Sequence, residues 1–91
     1  MEFEFDPQKN ELNAECHGVD FIEAQELWDK THVIIPARDV RGEPRYAIIG
    51  MLLGELHVAI FTMRKNRTRL ISCHRADPRW ERIYEQKREE T

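Results

Sequence analysis

The sequence predicts an α+β domain, on three observations. Residues 45–74 read as three strand-like segments joined by two short turns. Two of those segments, RYAIIGMLL (45–53) and LHVAIFTM (56–63), are apolar on both faces, as central strands covered on both sides are. Two Asp-Pro pairs, Asp6-Pro7 and Asp77-Pro78, open helix-like segments on either side of the run. An antiparallel β-meander with two N-terminal helices and one C-terminal helix satisfies all three.

Each element has its own justification. Residues 2–5 alternate acid and aromatic (Glu2, Phe3, Glu4, Phe5), which suits a short half-buried strand. Asp6 can cap free N–H groups, and Pro7 fits the first helical position, where its missing donor costs nothing. That helix should reach about Cys16 and stop at Gly18, which tolerates a left-handed helix end. Asp20 and Glu23 form a capping pair, with Val19 and Ala24 as a staple. Phe21, Ala24, Leu27 and Trp28 then share one face of a second helix. Residues 31–35 (THVII) are β-branched and read as a strand; PARDVRGEP (36–44) reads as a loop. Gly54-Glu55 makes one tight turn of the meander, RKNR (64–67) the next, and TRLISCH (68–74) the third strand. The last helix starts at Asp77-Pro78, with Trp80, Ile83 and Tyr84 toward the sheet.

Composition bounds what such a chain can do. Ninety-one residues suit one domain spanning 1–91, with a surface groove rather than an enclosed cofactor pocket. No apolar run approaches the ~18 residues of a membrane span. Glu2 and Glu4 follow Met1, unlike a basic-then-apolar leader, so a cytoplasmic protein is expected. Cys16 and Cys73 are too few for a disulfide framework and read as reduced thiols. Formal net charge is −3, but unevenly spread. Residues 1–63 carry 12 acidic against 5 basic side chains, and residues 64–91 carry 5 against 9. That asymmetry points to an anionic partner for the C-terminal third.

Strand alternation locates the cations. Arg69, Ile71 and Cys73 should share one face of the third strand, and Leu70, Ser72 and His74 the other. Arg64 and Arg67 flank the turn before it, and His74 and Arg75 lie at its far end. The display suits a phosphate backbone, and equally an edge strand guarded by charge. Cys16-His17 and Cys73-His74 form two Cys-His pairs, but adjacent strand residues diverge, so no metal site is expected. His32 and His57 sit in apolar strand patterns and read as packed histidines. No Gly-rich phosphate loop or nucleophile elbow is present. Metal-free phosphodiester cleavage needs a base, an acid and cations for the charge developing on phosphorus. His74 can act as base or acid, or serve only as a phosphate contact, and Arg64 and Arg75 can hold the phosphate.

Three separated motifs then add a resemblance. FDPQKNELNAECHGVDFIEA (5–24) resembles the opening of the BrnT toxins of bacterial type II toxin–antitoxin pairs, through Asp6, Pro7, Lys9, Asn13, His17, Gly18, Val19 and Phe21. GEPRYAIIG (42–50) resembles the family's Gly-Glu-x-Arg-aromatic strand start. TMRKNRTRLISCHRADPRWERIY (62–84) resembles its closing pattern through Thr62, Arg64, Arg69, Ile71, Ser72, Arg75, Ala76, Glu81 and Tyr84. The resemblance implies a RelE-like fold and a ribonuclease that arrests translation by cleaving RNA without cofactor or metal. It implies a cognate BrnA-type antitoxin, an autorepressing complex that touches operator DNA only through the antitoxin, and room for a homodimer. By resemblance Arg64 and Arg75 are the leading active-site residues, with Tyr84 beside them. Lys9, Glu43 and Arg45 join Arg67 and Arg69 as RNA contacts. His74 and Cys16 stand where the family usually has Arg and Lys. The alternative is a module of the same fold that binds RNA or antitoxin without cutting.

Overall fold

A computed structural model of the protein describes residues 1–90. Its strands are β1 (Glu2–Glu4), β2 (His32–Pro36), β3 (Tyr46–Leu52), β4 (Glu55–Arg64) and β5 (Arg67–Arg75). Its α-helices are α1 (Pro7–His17), α2 (Phe21–Ala24) and α3 (Pro78–Glu89). The strands form one sheet in the order β1-β5-β4-β3-β2. β2 to β5 pair antiparallel in succession, and β1 joins β5 in parallel. The α+β class and the meander over residues 45–74 therefore stand, and β2 extends the meander by one strand.

Both meander turns are two-residue hairpins with left-handed backbones, at Leu53-Gly54 (φ 55° and 79°) and Lys65-Asn66 (φ 48° and 68°). This turn type matches the twist of the flanking strands. It shifts the first turn back by one residue from Gly54-Glu55, so that Glu55 opens β4. The second turn narrows to its two central residues, so Arg64 and Arg67 become facing strand ends.

The helix starts follow local hydrogen bonding. The Asp6 carboxylate accepts from the Gln8 N–H at 2.9 Å, and the Asp77 carboxylate from Arg79 and Trp80 at 3.0 and 3.2 Å. Asp20 and Glu23 cap reciprocally. The predicted second helix, however, is α-helical only to Ala24 and continues as a 3-10 turn over Gln25–Asp29. Three residues per turn set Ala24 and Leu27 one above the other, and both are fully buried.

Helices cover both faces of the sheet. Val19, Phe21, Ala24 and Leu27 pack on one face against Ile48, Ala59, Phe61 and Leu70. On the other, Trp80, Ile83 and Tyr84 of α3 pack with Ala47, Ile49 and Val58. One irregularity decides what β5 presents. Ile60 pairs with Ser72 but Phe61 pairs with Leu70, so Ile71 is an extra residue in a β-bulge. Strict alternation puts Leu70 and Cys73 on opposite faces. The bulge brings both into the α1–α2 core. It thereby corrects the face assignment: Arg69 aligns with Ser72 and His74, on the face away from that core.

β5 also differs from the exposed strand its charges suggested. β1 pairs with it along Arg67, Thr68 and Arg69. Further on, the Asn13 side chain of α1 takes the place of a neighbouring strand. It donates to the Cys73 carbonyl at 2.7 Å and accepts from the Cys73 N–H at 3.1 Å.

Candidate functional site

The register of β5 builds a polar half-face beside the part of the sheet that α3 covers. Arg67 lies between Glu2 on β1 and Arg64 on β4, and Arg69 between Glu4 and Thr62. Ser72 is opposite Ile60, and His74 opposite Val58. Each arginine on this surface already holds an acid. The Arg67 Nε donates to Glu2 at 3.1 Å, and an Arg69 N–H donates to Glu4 at 2.8 Å. Arg64 grips Glu43 with two donors, at 2.9 and 3.2 Å. Arg45 approaches the same carboxylate at 3.8 Å. The Arg64 hydrogen bonds, helped by the charges of Arg64, Arg45 and Arg69, hold the Glu43 carboxyl below the usual carboxylate range. Glu43 returns the effect and raises Arg64. A carboxylate held ionised in this way is a weak base, so Glu43 acts as a counter-charge.

A second group forms at the far end of β5. Arg75 pairs with Glu55. It lines a cleft with Leu56, Glu81, Tyr84, Glu85 and Arg88, and the Arg88 guanidinium lies 5.3 Å from the centre of the Tyr84 ring. His74 precedes Arg75 and faces Val58, a member of the cluster that contains Tyr84. The His74 Nδ1 is 2.8 Å from the Arg75 carbonyl oxygen. A carbonyl can only accept, so Nδ1 carries a hydrogen. The His17 ring stands 5.6 Å from the His74 ring.

The predicted site residues therefore divide. Arg75 and Tyr84 line one cleft, while the His74 ring stands beside His17 and is not part of that lining; Glu43, Arg45, Arg64, Arg67 and Arg69 come together. At ~3.3 Å per residue, the eight steps from Arg67 to Arg75 put these two ends of β5 roughly 25 Å apart. Arg64 and Arg75 cannot hold one phosphate together. Lys9 is exposed in the first turn of α1.

Several side chains behave as packing reasoning expects. The Nδ1 atoms of His57 and His32 bond backbone carbonyls, at 3.0 and 2.7 Å. Cys73 is buried, and desolvation, with the nearby Glu23 charge, pushes its thiol up to about 12. Cys16 is exposed. Among the described residues no three His, Cys, Asp or Glu side chains gather as metal ligands, and no helix is long and apolar enough to cross a membrane. Sequence reasoning named Glu43 as an RNA contact but missed Glu2 and Glu4, the acids that hold Arg67 and Arg69. The alternation of Glu2, Phe3, Glu4 and Phe5 was their available signal, since it sets two carboxylates on one strand face.

The family model described as the ribonuclease toxin, BrnT, of type II toxin–antitoxin systems matches residues 5–79. No curated protein matches the chain.

Proposed function

The chain belongs to the BrnT family of ribonuclease toxins of type II toxin–antitoxin systems, and from that premise we propose that it cleaves RNA laid along the polar face of β5, without a metal ion. The observation that carries this reading is the bulge at Ile71, which sets Arg69, Ser72 and His74 on one face beside Arg64 and Arg67. Arg64, Arg67 and Arg69 hold the backbone, and the chemistry belongs to the His74 end.

There the unprotonated Nε2 of His74 takes the proton of a ribose 2′-OH. The 2′-oxygen attacks phosphorus, and Arg75 stabilises the charge on the phosphoryl oxygens once RNA displaces Glu55. The 5′-oxygen leaves with a proton from Tyr84. The products are a 2′,3′-cyclic phosphate and a 5′-hydroxyl. The five-stranded sheet with its flanking helices is read as a RelE-like layout acting in the cytoplasm. A BrnA-type antitoxin covers the arginine face, and the pair represses its own operon, with DNA held by the antitoxin.

The test is cleavage of a defined RNA with EDTA present, by the parent, His74→Gln and Arg75→Ala. Each variant is expected to lose about 100-fold or more in rate while melting as the parent does. Parental rates in both variants, or a strict need for added metal, overturn the mechanism. RNA that is bound but never cut establishes the binding-only alternative.

A further inference from the structure

A groove between α3 and the loop that precedes β3 stands out by its charge. Arg38, Arg45 and Arg79 rim it, and Ile60, Ile83 and Trp80 form much of its wall. No acidic side chain lines it. The clefts beside Arg75 and beside Arg64, by contrast, both carry carboxylates. Its volume is ≈ 550 Å³, room for a purine ring.

The groove is continuous with the arginine face. Ile60 on its wall is the cross-strand neighbour of Ser72. Arg45 on its rim shares the Glu43 carboxylate with Arg64. A strand of RNA lying along β5 therefore passes its mouth. The Arg79 guanidinium lies 5.1 Å from the centre of the Trp80 ring, so the wall presents two stacked π-surfaces. The Arg45 Nε–H is buried with no hydrogen-bond partner, and Arg45 meets Glu43 only at 3.8 Å. Its Nε–H thus lacks an acceptor, and its ion pair with Glu43 is long.

We infer that this groove is a nucleobase subsite of the RNA-binding face, taking a guanine splayed out of the strand. The base stacks on the Arg79–Trp80 pair and offers O6 and N7 to the fork of Arg45. Single-stranded RNA is read in this way, by stacking on aromatic or guanidinium planes and by bonds to exposed base edges. Guanine is the base whose two adjacent acceptors match an arginine fork. The inference rests on the reading of β5 as an RNA track and adds a sequence preference to it.

The test uses 2′-O-methyl oligonucleotides, which cannot be cut, with either guanine or adenine at one central position of an oligoadenylate. The parent is expected to bind the guanine strand about tenfold more tightly. Arg45→Lys keeps the charge but loses the fork, and its preference should fall within about twofold. Ile60→Trp fills the groove and should do the same. Binding of the guanine strand should also quench emission that Trp80→Phe removes. Equal binding of both strands by the parent, or an undiminished preference in Arg45→Lys, overturns the inference. So does hydrogen-exchange protection of the groove by the antitoxin but not by RNA. If RNA is bound and cut without a guanine preference, the subsite alone is wrong; if no RNA binds, the RNA track falls with it.

Discussion

Glu43 is the residue on which the arginine face turns. It occupies both forked donors of Arg64 and draws in Arg45, so on the proposed track an RNA phosphate would have to compete with it. Glu43→Gln should tighten binding of uncleavable RNA by about threefold, in keeping with the modest worth of an exposed ion pair. The salt dependence should steepen, because one more arginine then releases counterions. Anisotropy titrations at several salt concentrations check both; unchanged affinity would mean that Arg64 does not meet RNA. The pH dependence has a definite sign. A lowered carboxyl favours the folded state above its ordinary value of 4.5, and that contribution is lost as pH falls through the folded value. Parent stability should therefore drop faster than that of Glu43→Gln only below about pH 4.5, in urea melts across pH. Cys73 behaves in the opposite sense. Its thiol is held neutral up to about 12 against an ordinary 9.0, so its stabilising contribution is present below 9.0 and fades as pH rises toward 12. At neutral pH a thiol reagent should label Cys16 quickly and Cys73 only on unfolding, as mass spectrometry would show; rapid labelling of both refutes the burial of Cys73.

Among the elements, α1 and β5 are joined by one side chain. Asn13 bonds both backbone groups of Cys73 and also donates to the Val19 carbonyl at 2.8 Å, so it fastens the helix to the open edge of the strand that carries the candidate site. Asn13→Ala strands an N–H and two carbonyls in a buried place, at about 2–4 kcal/mol, and should lower the melting temperature by roughly 10 °C or more. Asn13→Asp should be no better at neutral pH, since a carboxylate cannot donate and would face two carbonyl oxygens. Faster amide exchange at Cys73 in both variants would locate the loss; a melting temperature within 2 °C of the parent, roughly a few tenths of a kcal/mol, would refute it. The elements themselves were legible where local bonding decides them. Asp6 and Asp77 cap because their side chains reach the next backbone N–H groups, whatever the rest of the chain does. The bulge at Ile71 was not legible, because it is set by how β5 meets β4, and a period-two reading of TRLISCH cannot contain it. That single residue moved Cys73 into the same core as Leu70 and aligned Arg69 with His74. The change from α to 3-10 at Gln25 likewise depends on the sheet that receives Leu27.

Across the whole molecule, the charge imbalance along the chain is largely answered within the fold. Glu2, Glu4, Glu43 and Glu55 come from the acidic two-thirds, and they pair with Arg67, Arg69, Arg64 and Arg75 of the basic third. The identities of the cations were legible in the sequence, but their companions were not, because β1 reaches β5 across more than sixty residues. The parallel β1–β5 pair is thus a guard as well as an edge cover. It places carboxylates beside Arg67 and Arg69, two of the arginines of the proposed RNA track. The double variant Glu2→Gln, Glu4→Gln keeps the strand and removes the guard. These are surface pairs, each worth ~0–1 kcal/mol, so folding stability should change by less than about 2 kcal/mol in total. RNA affinity should change more, since two freed arginines steepen the dependence of log K on log salt by about 1.4 for a single strand. The same freed charges should speed association with the antitoxin at low salt, and that advantage should vanish as salt screens it. If the salt slope for RNA is the parent's while the variant folds normally, then Arg67 and Arg69 lie off the RNA track, and the backbone must enter the His74 end from another side of the sheet.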